Sequence, residues 1–540
     1  MKPESFPGIS RKRINHSVAL VLYFLLILFS PPVFAQYTNV RINKPVGSRP
    51  EEVTIAINPV NPLNLVAGAN LDNFYYTTDG GSTWTEGRLS STLGEMGDPC
   101  IIYDADGNAY YGHLSAEGGG DATWLDRIVV QKSTDGGKTW NNGVGIGLNS
   151  PKHQDKAWLA CDLTNPRYRN NLYVAWTEFD KYASYNTRDS SRILFSRSTD
   201  AGATWSTPVR VSDRGGNCLD SDSTVEGAVP AIGPIGEVYL SWSSPQGIMF
   251  DKSTDGGVRF GRDVYVTSQP GGWNFNVPGL QRCNGFPVTC CDLSGSPYQG
   301  TIYIMWSDQR NGQDNTDVFL IKSTDQGSTW GSIKRVNDDA TQTHQFFPWM
   351  AVDQTTGYIY VVFYDRRNSS TIATDVYLAR STDGGSSFAN FKISQIPFSP
   401  NTNSFLGDYI HLAVYSRSIH PIWTRIDSSA LSIWTTLIRD AAATGVSETQ
   451  RLPSRFTLDQ NYPNPFNGST SIGFSLPSHS HAVLTVHDVL GRVVRTLVEG
   501  EFEAGAHLAM FYSDDLSSGV YIYQLKTSQF LASKKLIITK

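Results

Sequence analysis

The sequence predicts an all-β protein in which a seven-bladed β-propeller precedes a small Ig-like β-sandwich. Three observations lead to this prediction: a turn phrase that returns six times, a pair of apolar strands that returns seven times, and a C-terminal segment with a strand pattern of its own. The turn phrases are roughly 55 to 70 residues apart, a spacing that suits one four-stranded blade with its loops.

The N-terminus has the pattern of a secretory signal peptide, predicted to span residues 1–35. A basic stretch at residues 11–13 precedes an apolar run at residues 18–29, and small residues end the segment at Ala35. The apolar run is too short for a comfortable membrane span. We therefore expect an exported protein without an integral membrane span.

Charge and cysteine content narrow the classes of partner. The net charge is −6 over 540 residues and no basic stripe occurs, which argues against nucleic acid. No Cys/His set has metal-ligand spacing, so neither a metal nor a cofactor is expected. Export permits disulfides, and Cys218 could pair with Cys283, or Cys283 with Cys290. Small molecules, glycans and proteins remain as partners.

The turn phrase first occurs as Thr-Thr-Asp-Gly-Gly-Ser-Thr-Trp at residues 77–84. An Asp in a turn accepts backbone N–H groups, the Gly takes a positive φ, and the closing aromatic packs beneath the hairpin. Six equivalent carboxylates on six blades cannot converge on one substrate, so the phrase is interpreted as structural. The later copies carry Asp135, Asp200, Asp255, Asp325 and Asp383.

The phrase resembles the Asp box of sialidase-like Asp-box (BNR) repeat propellers. This resemblance implies a glycan-directed protein, and a six-bladed ring is the alternative because the sialidase propeller has six blades. The apolar strand pairs instead number seven. The seventh pair has no Asp box and no fourth strand, and residues 39–43 resemble the outer strands elsewhere. We therefore expect the propeller to span residues 36–438, with its N-terminal strand completing the last blade.

The tail is predicted to be a separate domain at residues 453–540, after a polar linker at 439–452. Its strand pattern indicates a small antiparallel β-sandwich. Asn-Tyr-Pro-Asn-Pro-Phe-Asn at residues 461–467 and Ser-Gly-Val-Tyr at 518–521 resemble the C-terminal sorting domain of type IX secretion substrates. The resemblance implies engagement of the type IX secretion machinery, export through periplasm and outer membrane, and a secreted or outer cell-surface location.

A binding site is expected where the innermost strands begin and the second strands end. The resemblance to sialidases implies three arginines for a sugar carboxylate, a Tyr nucleophile with a Glu partner, and an Asp acid/base. On this face, Arg49, Arg310 and Arg366 would form the carboxylate clamp. Tyr409 would be the nucleophile with Glu226 as its partner, and Asp98 would be the acid/base.

A second hypothesis needs only two carboxylates across the cleft. The candidates are Asp98, Asp155, Glu226 and Asp408, with Lys156 able to lower the pKa of a neighbour. Alternatively, Asp308 with Arg310 and Asp365 with Arg366 form salt bridges between blades.

Two functions stay open: a sialidase-like glycoside hydrolase acting on exo-linked sugars, and a non-catalytic surface propeller that binds a glycan or protein. In either case, exposed Trp273, Phe275 and Tyr182 are expected to stack on sugars.

Overall fold

The computed structural model describes residues 37–44, 50–116, 125–164, 167–427, 430–440, 456–458, 460–461, 464–467, 469–502, 505–513 and 516–539. Every regular element in these ranges is a β-strand, which confirms the all-β prediction. The chain divides into two compact units, Met1–Ala441 and Ala442–Lys540. The predicted signal peptide and most of the predicted linker lie outside the described residues.

Within the described residues, the first unit contains seven antiparallel sheets of four or five strands, numbered here in chain order. Sheet 1 consists of Thr54–Ile57, Leu65–Ala69, Asn73–Thr77 and Thr85–Arg88. Sheet 2 consists of Cys100–Tyr103, Ala109–Ser115, Arg127–Ser133 and Val144–Ile146. Sheet 3 consists of His153–Cys161, Leu172–Phe179, Ser191–Ser198 and Val209–Arg210.

Sheet 4 consists of Glu226–Ile232, Val238–Ser244, Gly247–Ser253 and Val264–Thr267. Sheet 5 consists of Val288–Cys291, Ile302–Asp308, Asp317–Ser323 and Lys334–Arg335. Sheet 6 consists of Gln345–Val352, Ile359–Asp365, Asp375–Ser381 and Ala389–Lys392. A two-stranded hairpin, Asn274–Phe275 with Cys283–Asn284, lies between sheets 4 and 5. Sheet 7 consists of His411–Tyr415, Ser418–Asp427, Ala430–Thr435, Ile438–Arg439 and Val40–Arg41.

The first strands of the seven sheets form a closed ring. Each contacts the first strand of the next sheet, and that of sheet 7 contacts that of sheet 1. Val40–Arg41 pairs with Thr435 and Trp434, which confirms that an N-terminal strand completes the last sheet. Ile438–Arg439 pairs with Ser418 and Ile419, and Asp440 accepts a hydrogen bond from Tyr360, so the first unit continues beyond the predicted boundary at residue 438.

Aromatic side chains on the second strands fill the space between neighbouring sheets, because these strands are covered on both faces. Trp176, Trp242, Trp306 and Trp423 are all at most 2% exposed. Burial of side chains of this size is the largest favourable contribution to folding. All six cysteines are unpaired, so neither expected disulfide is formed.

The six turn phrases share two hydrogen bonds, since each aspartate accepts from the Ser or Thr hydroxyl two residues before it and from the backbone N–H four residues after it. In the first, Asp79 accepts from the Thr77 hydroxyl at 2.7 Å, from the Thr83 backbone N–H at 2.9 Å and from the Thr83 hydroxyl at 2.6 Å. Gly81 has φ +88°, a conformation that glycine adopts without strain. Each aspartate thus holds together the turn between the third and fourth strands of its sheet.

The second unit is made of two sheets around one apolar core. One contains Thr457–Leu458, Ser469–Leu476 and Gly505–Tyr512, and the other contains Val493–Phe502, Ser480–His487, Gly519–Thr527 and Leu531–Ile538. Phe474, Leu484, Tyr523 and Leu536 are among the buried residues between them.

Candidate functional site

A cavity of about 670 Å³ opens at the ends of the first strands of sheets 1 to 3. Its wall combines charged and polar side chains with a few apolar ones, a composition typical of small-molecule sites. Residues lining it include Glu52, Met96, Asp98, Leu125, Asp155, Lys156, Tyr182, Arg282 and Phe405.

Three charged residues reach the cavity region from equivalent positions. Glu52, Asp98 and Lys156 each lie six residues before the turn that follows the first strand, and each has a positive φ, between 48° and 54°. Gly227 and Phe347 occupy the same position in sheets 4 and 6 with φ +79° and +47°. A left-handed conformation is uncommon for residues with a side chain and persists where the surrounding structure enforces it.

The Lys156 ammonium group is the centre of a buried charge cluster. Its Nζ lies 2.6 Å from Asp408 Oδ2, 3.1 Å from Asp98 Oδ2 and 3.7 Å from Glu52 Oε1, and the Lys156 side chain is 8% exposed. These carboxyl groups raise the pKa of Lys156 well above its usual value, against the opposing effect of burial. Lys156 is therefore a fixed cation.

Arg282 is the second cation of the cluster and comes from the hairpin between sheets 4 and 5. Its guanidinium binds both oxygens of Asp408, with Nε 2.8 Å from Oδ1. Asn284, on the same hairpin, donates to the backbone carbonyl of Asp408 at 2.9 Å. Although burial opposes ionisation, Lys156 and Arg282 hold the pKa of Asp408 at about 2.

The pKa values of Glu52 and Asp98 are shifted in opposite directions. Burial and the nearby Asp98 charge raise the pKa of Glu52 well above its usual value. Burial also disfavours a charged Asp98, but Lys156 and a hydrogen bond from Glu52 lower its pKa. Asn70 donates to Glu52 Oε2 and accepts from the Asp98 backbone N–H at 2.7 Å, which orients both residues.

Asp155 and Glu226 occupy equivalent positions in sheets 3 and 4, one residue before the left-handed position. Asp155 lines the cavity, and burial raises its pKa to about 7 although Lys156 opposes the shift. Glu226 is fully buried, and neither of its oxygens has a hydrogen-bond partner within the described residues. Burial and the charges of Asp220 and Asp155 raise its pKa well above the usual value.

Tyr409 does not line the large cavity but lines a smaller one together with Lys156 and Asp408. Its ring packs edge-on against Trp158 at 5.1 Å between centroids, and its hydroxyl donates to the carbonyl of Pro99 at 3.3 Å. Burial, and then the charges of Asp98 and Glu52, raise its pKa well above the usual value. Trp158 in turn packs against Trp349 at 4.4 Å, so aromatic rings occupy the ring axis here.

Arg310 and Arg366, two of the three arginines assigned to a carboxylate clamp, do not line the large cavity. Arg310 pairs with Asp308 and lies over the Phe319 ring at 4.5 Å. Arg366 donates to Thr374 and to the carbonyl of Pro278, and burial lowers its pKa to about 10. Arg49 lies outside the described residues.

Of the expected salt bridges, the one between Asp308 and Arg310 forms within sheet 5. Arg367, rather than Arg366, bridges sheets 5 and 6, because its guanidinium also lies 2.6 Å from Asp338, which follows the last strand of sheet 5. Asp308 binds Arg310 two residues later, and Asp365 binds Arg367 at 2.7 Å rather than Arg366. Two of the aromatic residues expected to be exposed are buried, since Trp273 is 4% and Phe275 5% exposed. Tyr182 does line the cavity.

Sequence reasoning assigned no role to Glu52 or Arg282. Glu52 could have been found from its repeat position, six residues before the Asn58 turn, where sheets 2 and 3 carry Asp98 and Lys156. Arg282 lies in an insertion that has no counterpart in the other modules, so no repeat position points to it.

Residues 460–539 match the family model of the secretion system C-terminal sorting domain. The resemblance stated for the tail is thereby confirmed for these residues, and it indicates type IX secretion to the cell surface or the surrounding medium. A search of curated proteins finds no match to the chain.

Among solved structures, the chain is similar to an ulvan lyase bound to a GlcA–sulfated rhamnose unit, with 11% identity, TM-score 0.45, and coverage of 74% of this chain and 96% of the lyase. It is also similar to an α-L-arabinofuranosidase from Fusarium graminearum, with 13% identity, TM-score 0.42, and coverage of 75% of this chain and 98% of the arabinofuranosidase. A third similar structure is the NanB sialidase from Streptococcus pneumoniae, with 8% identity, TM-score 0.43, and coverage of 70% of this chain and 83% of the sialidase. Within the described ranges, no helix has the length and apolar character needed to cross a membrane.

Proposed function

We propose that the protein is an exported seven-bladed β-propeller that hydrolyses a glycosidic bond in the cavity lined by Asp98 and Asp155. The blade number is supported by the seven sheets and the closed ring of first strands. The observation that carries the proposed activity is a pair of carboxyl groups in one cavity with pKa values moved in opposite directions.

Asp155 is the proposed general acid. With a pKa of about 7 it is partly protonated in neutral medium and mostly protonated in mildly acidic medium, and it can transfer that proton to the oxygen of the leaving sugar. A carboxyl whose pKa is raised by burial, beside a second carboxyl that stays ionised, is the pattern of acid and base partners in glycoside hydrolysis.

Asp98 is the proposed ionised partner. The Lys156 ammonium 3.1 Å away keeps it charged, and its side chain is 13% exposed, so it reaches the cavity. An ionised carboxylate stabilises the positive charge that develops at the anomeric carbon as the glycosidic bond breaks. Water then supplies the incoming hydroxyl and gives its remaining proton to the Asp155 carboxylate, which restores the acid. The sugar must therefore bind between Asp98 and Asp155.

The contacts of Tyr409 and Glu226 favour a mechanism with two carboxyl groups over a mechanism with a tyrosine nucleophile. Tyr409 donates its hydroxyl proton to a backbone carbonyl, and burial opposes its ionisation. Glu226, its proposed partner, is fully buried and its raised pKa favours the protonated form, which cannot act as a base.

The alternative is a binding site without chemistry. Lys156 and Arg282 already compensate Asp98 and Asp408, so the charge cluster is balanced without a substrate. Such a site would bind a glycan and release it unchanged.

The test uses the chain from residue 36 with a panel of aryl glycosides and polysaccharides, followed by chromophore release and new reducing ends. Asp155→Asn and Asp98→Asn should each lower turnover roughly 10²- to 10⁴-fold, the usual range for a general acid or base. Asp106→Asn, an exposed turn residue, is the matched control.

Tyr409→Phe separates the two enzymatic mechanisms. It should leave turnover within a few fold, whereas loss of sialoside cleavage would support the tyrosine mechanism. Binding of a glycan without any product would support the alternative function.

A further inference from the structure

The hairpin that carries Arg282 has a second cavity on another side. Its two strands pair through Asn274 with Asn284 and Phe275 with Cys283. This cavity measures about 520 Å³ and lies between the hairpin and the turn that follows the second strand of sheet 5. We call it the hairpin groove; Asn274, Asn276, Pro278, Leu280, Gln309 and Gln313 are among its lining residues.

The wall of the hairpin groove presents side-chain amides that are free to bind a ligand. Asn274, Asn276 and Gln313 are exposed, and their side-chain amides form no hydrogen bond within the described residues. A carboxamide offers both a donor and an acceptor, which suits the paired donor and acceptor character of sugar hydroxyl groups. Buried Phe275, Val277 and Leu280 add an apolar part to the lining.

Gln309 joins the two walls of the groove. Its amide nitrogen donates to the carbonyls of Asn276, at 3.1 Å, and Gln313, at 2.9 Å. The groove therefore has a fixed width before a ligand arrives, and a preformed site loses less free energy to ordering on binding.

The charge of the lining selects for an uncharged ligand. Asp314 is its one titratable residue, and no cation lines the groove. A sugar acid would find no positive partner here, whereas neutral hydroxyl groups match the free amides.

The hairpin groove and the large cavity are linked through the hairpin itself. Asn274 and Arg282 both line a small cavity that reaches Asp408, and Arg282 also lines the large cavity. A chain-like ligand crossing the hairpin would therefore contact both sites.

We propose that the hairpin groove binds sugar units of a neutral polysaccharide whose reacting unit occupies the large cavity. This inference rests on the proposed glycan-directed function and specifies its substrate as a polymer rather than a short glycoside.

The test is affinity electrophoresis of the mature chain in gels containing arabinan, galactan, xylan or laminarin, with polygalacturonate as the acidic comparator. The double variant Asn276→Ala/Gln313→Ala should lower the apparent affinity for at least one neutral polymer, measured from its retardation, roughly tenfold. This is the loss expected when two hydrogen-bonding groups are removed. Gln299→Ala, an exposed amide in the turn at the other end of sheet 5, should change nothing.

Aryl glycoside turnover separates this proposal from the proposed activity. A single sugar fills only the large cavity, so the double variant should retain its rate. Should no glycoside be hydrolysed, gel retardation still reports on the groove. The inference is overturned if no neutral polymer retards the protein, if the double variant is retarded equally, or if polygalacturonate shows the same dependence on the two amides.

Discussion

Replacing Lys156 by Met tests whether the buried cation holds the charge cluster together. The substitution keeps most of the side-chain volume and removes the charge from between Asp408 and Asp98. Removing one partner of a buried ion pair costs about 3–5 kcal/mol, because the remaining charge is left uncompensated. Since this ammonium serves two ionised carboxylates, we expect a loss near the upper end, about 5 kcal/mol.

Urea unfolding followed by tryptophan fluorescence measures this loss. All 13 tryptophans precede residue 442, so the signal reports on the first unit alone. Lys181→Met, at an exposed lysine at the cavity rim, is the control. Adding Asp98→Asn to Lys156→Met should recover part of the stability, because Arg282 still compensates Asp408 whereas Asp98 loses its ammonium partner. A loss below about 1 kcal/mol, or no recovery in the double variant, would refute the reasoning.

Two further predictions concern pH and ring closure. The folded pKa of Asp155, about 7, is above the unfolded value of about 3.9, so the folded state binds the proton more tightly and stability falls as pH rises through this range. The free energy of unfolding of Asp155→Asn minus that of the natural chain, measured in urea, should therefore be more positive at pH 8 than at pH 4. An equal difference at both pH values would contradict the raised pKa of Asp155. Deleting residues 37–43 removes the strand that pairs with Ala430–Thr435 and exposes a strand edge, which promotes association between chains. Size-exclusion chromatography should then show oligomers, and a stable monomer would show that the edge is covered otherwise.

Repetition made much of the fold predictable. The strand pairs and turn phrases recur at regular spacing, so the all-β fold and the role of residues 39–43 could be inferred from aligned modules. For the same reason, Asp98, Asp155, Lys156 and Asp408 were assigned to one face, and the structure brings them together.

The remainder of the site depends on features that do not repeat. The hairpin that delivers Arg282 folds upon itself, with Trp273 against Phe286 at 4.6 Å, and this buries aromatics that composition alone suggested were exposed. Burial likewise raises the pKa of Glu226. A local pattern does not encode how deeply a side chain will be buried.

The pairing of Val40–Arg41 with Ala430–Thr435 has a consequence for the order of events during synthesis. The first of these strands is among the earliest residues of the described chain to be made, and its partner is made almost 400 residues later. The ring thus remains an open string of sheets until nearly the whole unit has been synthesised, and contacts between such distant residues form slowly. Closure of the ring is therefore among the last steps open to a newly made chain, whatever the order in which the sheets themselves fold.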